Sequence, residues 1–341
     1  MRAVLIREHG GLDRLEIAEC PEPDTPRQAV VNVRAVALNH LDVWLRRGVP
    51  GHTFPLPMIP GSEVSGIVEA VPAGFGSILP GDEVIVAPGI SCGVCIACTS
   101  GRDNLCRSFG ILGESENGGC AEKISVPVRN LIPKPASLSF VEAAAVPLDF
   151  LTSWHMLVAR AALRPGETVL IHAGGSGVGS AAIQIAKLWG ATVIATVGSR
   201  EKESPARELG ADEVIFYREA DFAAEVRKLT GRRGADVVFE HVGADTFEGS
   251  MKSLARGGRL VTCGATTGAE VKINLRVVFF KLLSILGSTM GSIGELHEIM
   301  KHVNSGRLRP VVARVLPLDQ VGEGHRLLED REVFGKVVLE V

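Results

Sequence analysis

The chain has 341 residues, 46% of them hydrophobic and 22% charged, with a formal net charge of −3 at pH 7. That length exceeds what one compact core usually organises, so two domains are expected. So mild a charge balance excludes nucleic acid and anionic membrane surfaces as electrostatic partners and leaves a small-molecule substrate.

The segment MRAVLIREHGG lacks the apolar core and small-residue cleavage site of a secretory signal, and no stretch approaches the roughly 20 apolar residues that span a bilayer. A cytoplasmic location is expected, where clustered cysteines serve as metal ligands rather than disulfides. The first 130 residues read as short β-rich runs broken by Gly and Pro turns: AVVNVRAVAL (29–38), SGIVEAV (65–71) and PGDEVIVAPG (80–89). They predict an antiparallel, barrel-like half. Within it, CGVCIACTSGRDNLC (92–106) places four of the seven cysteines at the spacing C-x2-C-x2-C-x7-C. Cys20, Cys120 and Cys263 read as small buried apolar side chains.

After LIPKPASLS (131–139) the pattern changes. An alanine-rich helical stretch is followed by repeated pairing of a Val/Ile-rich run with a helical pattern. The candidate strands are ETVLIHA, ATVIATVG, EVIFY, ADVVFEHVG, GRLVTCGA and LSILGSTMG. Such alternation predicts a parallel sheet covered on both faces. In TVLIHAGGSGVGSAAIQIAKLWGA (168–191) a strand meets a glycine-rich turn that opens into an amphipathic helix. There a pyrophosphate can approach the backbone while the helix N-terminus stabilises its charge. Gly174, Gly175, Ser176, Gly177, Val178 and Gly179 are the expected contacts, with Ser176 in the middle place of G-x-G-x-x-G.

The second strand ends in VGSREK, where Ser199, Arg200 and Lys202 offer a hydroxyl and two cations, so NADP(H) is expected over NAD(H). Tyr217, the only tyrosine, ends the third strand within reach of the adenosine phosphate. Val242, Gly243, Gly264 and Ala265 follow later strands and are expected, with Thr152, to line the cofactor groove. LLSILGSTMG (282–291) is apolar for an outer strand. The last segment reverts to the style of the first half, helix then edge strand, and is expected to dock back on it.

A Rossmann-like half after a barrel-like half bearing a four-cysteine lobe resembles the medium-chain dehydrogenase/reductase superfamily. The matching pieces are PGSEVSGIVEAV (60–71), PGDEV (80–84), the cysteine lobe, AGGSGVG (173–179) and the run from GADVVFEHVG to GGRLVTCGA. The resemblance implies an α/β protein. A GroES-like, mostly antiparallel β-barrel catalytic domain would cover residues 1–130 and 311–341, with a zinc lobe at about 89–110, and a doubly wound Rossmann dinucleotide-binding domain 131–310. It also implies an NAD(P)H-dependent oxidoreductase and a homodimer or homotetramer joined through the outer strand. One structural zinc would sit on Cys92, Cys95, Cys98 and Cys106. Four thiolates close a tetrahedral shell and leave no position open to substrate.

Zinc alcohol dehydrogenases of the family hold a second, catalytic zinc through two Cys and one His. Here Asn39 stands for the first cysteine and Leu41 for the relay hydroxyl in ALNHLD (37–42). Ser62 stands for the histidine in GSEVSG (61–66), and Leu148 for the second cysteine, with Asp149 beside it. Glu63 is expected to pair with a buried cation or a backbone group. The NHLD pattern is similar to the family's zinc-independent reductases. Without a Lewis acid an unactivated alcohol is hard to oxidise. Hydride addition to an enone, enal, quinone or enoyl thioester instead yields an enolate that needs only hydrogen-bond donors and a proton. The expected reaction is NADPH-dependent reduction of an activated C=C or quinone, with Asn39 and Ser62 as polar contacts and His40 or Asp149 as proton donor. The alternatives are an alcohol dehydrogenase or carbonyl reductase acting on a small alcohol or aldehyde, and a non-catalytic NADPH-binding protein.

Overall fold

Valine- and isoleucine-rich runs that alternate with helices collapse into one parallel sheet, because each crossover helix covers a face of the strands it joins. The computed structural model describes residues 1–23, 27–74 and 77–341 and divides into two compact units, Met1–Leu148 with Ser292–Val341, and Asp149–Gly291. In the second unit all six candidate strands form one parallel sheet in the order Glu213–Phe216, Thr192–Val197, Thr168–Ile171, Ala235–Glu240, Leu254–Thr262, Ser284–Gly287. The strand order reverses between Thr168–Ile171 and Ala235–Glu240. The crevice outside the carboxyl ends of these two strands is where such sheets hold ligands.

The first unit is built on the strand Ala29–Ala37, whose alternating buried positions continue a core with Val64, Val84, Leu112, Ile124 and Leu339. Glu63–Ala70, Lys123–Val126 and Lys336–Glu340 all pair with it antiparallel. The C-terminal segment therefore does dock on this unit. Lys336–Glu340 is an interior strand rather than an edge, because the edge belongs to Val312–Pro317, which lies parallel beside it.

The units divide after Leu148 and at Ser292 instead of at 130 and 310. Three contacts explain the difference. Leu131–Pro133 pairs with Glu83–Val86, alanines 144 and 145 pack on Ala35 and Ala37, and the Ile293 N–H donates to the Asp103 carboxylate at 3.1 Å. Among the described residues no helix is long and apolar enough to cross a membrane.

Candidate functional site

The loop 92–106 winds its four cysteines together. Sulfur–sulfur distances are 3.8 Å from Cys92 to Cys98, 3.5 Å from Cys95 to Cys98 and 3.6 Å from Cys106 to Cys92. A tetrahedral zinc with bonds of about 2.3 Å requires sulfurs about 3.8 Å apart, so the cage fits that ion. Backbone N–H groups of Val94 and Cys95 draw the Cys92 thiol down to about 6, whereas the Cys98 sulfur and burial raise Cys95 to about 11.

Asn39 begins the helix His40–Arg47, and its backbone N–H donates to Asp42 Oδ2 at 2.7 Å. The other oxygen of Asp42 accepts the Gly61 N–H at 2.8 Å, so one buried carboxylate ties the helix start to the loop carrying Ser62. Burial pushes the Asp42 carboxyl up to about 6. Both side-chain N–H groups of Asn39 are engaged, with Ala37 O at 3.3 Å and Glu63 Oε2 at 3.2 Å.

Lys336, at the start of the interior strand, is only 4% exposed. Its ammonium lies 2.6 Å from Glu63 Oε2 and 2.7 Å from Asn39 Oδ1. Glu63 Oε1 accepts the Leu148 N–H at 2.6 Å. Glu63 thus finds both a buried cation and a backbone donor. Ser62 Oγ is fully buried and has no hydrogen-bond partner among the described residues. His40 is half-buried and meets Trp44 edge-on.

The positions matched to a catalytic zinc therefore hold an amide, a hydroxyl and an aliphatic side chain, and a lysine ammonium already occupies the oxygen-rich corner. A divalent cation there would meet a fixed positive charge and no soft ligand, so these residues do not fit it.

In the second unit Ser176 is the N-cap of the helix Gly177–Leu188, its hydroxyl accepting from the Gly179 N–H at 2.9 Å. That explains a serine where a glycine was expected: it caps the helix while the N–H groups of Gly177 and Val178 keep no intrahelical acceptor. A Cβ on Gly179 would lie 2.2 Å from Ala173 O, so only glycine permits this closeness of helix and strand. Gly174 N–H donates to Thr196 O, and Gly175 lies in the same turn. Ser153 donates to Val178 O at 2.8 Å and Thr152 lies 3.8 Å from the Met290 sulfur, so the TSW segment packs behind the turn.

Ser199 starts the short helix Arg200–Lys202, and the Tyr217 hydroxyl lies close over Gly198. The exposed Arg200 guanidinium rests over the Phe216 ring and pairs with Glu219 at 2.6 Å. Val242 and Gly243 touch the 264–268 loop, where Thr267 N–H donates to Val242 O at 2.8 Å. Asp149, in the first turn of Pro147–Trp154, is buried, and its charge reaches Cys263. Desolvation, Glu240 and Asp149 push the half-buried Cys263 thiol up to about 12, away from the thiolate form.

Residues 25–136 match the alcohol dehydrogenase GroES-like domain family and residues 177–305 the zinc-binding dehydrogenase family. The crystal structure of an NAD-dependent alcohol dehydrogenase is 53% identical over all of both chains, with a TM-score of 0.96. The chain belongs to the medium-chain dehydrogenase/reductase superfamily. It is an oxidoreductase with the superfamily's GroES-like and Rossmann-type halves. The quinone oxidoreductase of Homo sapiens is 28% identical over 99% of this chain and 97% of its own. The 2-octenoyl-CoA carboxylase reductase CinF, solved with NADP and 2-octenoyl-CoA, is 30% identical with a TM-score of 0.92, over 99% of this chain and 87% of its own.

Motif reading passed over Lys336, Glu240 and His172. Each carries a signal visible in retrospect: a charged or titratable residue at the end of a run otherwise apolar enough for a buried strand, in GKVVLEV, DVVFE and TVLIH.

Proposed function

We propose that this chain is an NADP(H)-dependent reductase of an activated C=C or a quinone, with a structural zinc on the four cysteines and no catalytic metal. The Lys336 ammonium seated between Asn39 and Glu63 carries this reading, because it supplies within the chain the positive charge that a metal would bring. Asn39, with both its donors engaged, acts as a positioning group. Ser62 is the buried hydroxyl left to contact substrate, and His40 or Asp149 supplies the proton. NADP(H), when bound, supplies or accepts the hydride. The turn 174–179, with Thr152, Ser199, Arg200, Lys202, Tyr217, Val242, Gly243, Gly264 and Ala265, is the reading's dinucleotide site. The name of the relative solved with NADP and an enoyl thioester supports it.

A second reading is oxidation of an alcohol with NAD, favoured by the name of the relative at 53% identity. Zinc per chain, together with turnover on enones, enoyl thioesters, quinones, aldehydes and primary alcohols, tests both. About one zinc and activity confined to conjugated acceptors are expected. About two zincs, or alcohol turnover alone, would overturn the first reading. Association through the apolar outer strand Ser284–Gly287 into a dimer or tetramer belongs to the same proposal.

A further inference from the structure

The strand Ala235–Glu240 is buried and apolar apart from two carboxylates, and the last of them, Glu240, is fully buried. Its Oε1 accepts the N–H groups of Val242 at 2.7 Å and Gly243 at 3.1 Å. Oε2 accepts the Ser250 hydroxyl at 2.6 Å, and Thr246 Oγ1 lies 2.9 Å from both oxygens. Burial opposes this charge, and these hydroxyl and backbone donors are what the fold sets against it.

From Ser250 the network crosses to the neighbouring strands. His172 Nε2 lies 2.9 Å from Ser250 Oγ, and Nδ1 lies 3.2 Å from Thr196 Oγ1. Since Ser250 donates to Glu240, it accepts from His172, whose other nitrogen accepts from Thr196. Thr196 Oγ1 in turn accepts the Ala173 N–H at the mouth of the glycine turn, at 3.2 Å. Burial pushes His172 down to about 4, consistent with a neutral ring in this chain of donors.

In the other direction Gly243, at φ +100°, is pressed so close to the 264–268 loop that a Cβ would lie 2.6 Å from Gly268 O. Ala244 N–H reaches Gly268 O at 3.1 Å, and the Thr267 hydroxyl reaches Val242 O at 2.9 Å. One carboxylate thereby connects the ends of four adjacent strands around the switch point.

We propose that Glu240 is a positioning residue for dinucleotide binding: its carboxylate sets the backbone of the 241–243 loop and, through it, the 264–268 loop, without touching the ligand itself. The donors it holds are loop N–H groups and helix hydroxyls, so its removal loosens the rim of the crevice before the sheet beneath it. This inference rests on the reading of that crevice as a dinucleotide site.

The test measures dissociation constants for NADPH and NADP⁺ on the zinc-loaded protein, together with amide hydrogen exchange of the two loops. Glu240→Leu is expected to weaken both forms about tenfold or more and to lose protection in both loops, with kcat at saturation within about threefold of the parent. Glu240→Gln keeps one carbonyl oxygen facing the two N–H groups and is expected to stay within about threefold of the parent. Folded Glu240→Leu with parental affinity, or Glu240→Gln as weak as Glu240→Leu, would overturn the proposal. Should Glu240→Leu fail to fold, Ser250→Ala removes one hydroxyl donor to the carboxylate and is expected to weaken both forms; unchanged affinity there overturns the proposal equally. A parent protein that binds neither dinucleotide defeats the underlying reading, a result distinct from a parent that binds and variants that match it.

Discussion

Two buried carboxylates in the first unit illustrate opposite solutions to the same problem. Glu63 is compensated by the Lys336 ammonium, so removing either partner strands a charge that water cannot reach. Lys336→Met is expected to lose roughly 3–5 kcal/mol of stability, and Lys336→Met with Glu63→Gln to recover most of it, because the pair can vanish together at small net cost. Urea unfolding of the two variants checks this, and equal losses would contradict it. Asp42 is instead held by two backbone N–H groups and has its carboxyl pushed from 3.8 up to about 6. Since the folded value is the higher one, the contribution of the protonated form is full below about pH 4 and is lost as pH rises through 6. That loss totals about 3 kcal/mol. Asp42→Asn is therefore expected to flatten the fall in stability between about pH 4.5 and 6.5, whatever constant offset its lost acceptor adds. Denaturant titrations of parent and variant at those two pH values decide it.

Among the elements, the cysteine lobe and the end of the second Rossmann strand carry the clearest expectations. On the proposed structural-zinc reading, chelation at neutral pH is expected to lower the thermal midpoint while leaving dinucleotide affinity within about twofold, because a closed thiolate shell would contribute folding energy rather than chemistry. Calorimetry and fluorescence titration of the same metal-free sample separate the two effects. At the strand end, Arg200 and Glu219 are both exposed, and such a pair holds the guanidinium weakly. Arg200→Ala is expected to lower kcat/KM for NADPH about tenfold with little effect on NADH, through loss of a charge-assisted phosphate contact. An unchanged ratio between the two cofactors would remove Arg200 from the site.

The six Rossmann strands and the helix after the glycine turn were legible in the sequence, since period and turn chemistry are local. That Ser176, in the middle place of the glycine motif, also caps the following helix is visible only once Gly179 is folded onto it. The interior place of Lys336–Glu340 was hidden because register against Ala29–Ala37 is set by residues some three hundred positions away.

For the whole molecule, the outer strand Ser284–Gly287 and the helix Leu275–Lys281 leave Leu275, Phe279, Phe280, Leu282 and Ile285 exposed, with Phe280 at 65%. An unpaired apolar edge of this kind is an aggregation hazard unless another chain covers it. Phe280→Asp is expected to shift the sedimentation profile toward monomer, and a parent that already sediments as a monomer would refute the proposed association. The sequence by itself determined the class of each half, the four-cysteine cluster and the glycine turn, because each depends on residues close together along the chain. Only the tertiary structure decided that Lys336 lies between Glu63 and Asn39 and that the Glu240 network reaches four strand ends. A buried charge is tolerated only beside partners that the fold brings in from far away, and no local spacing announces them.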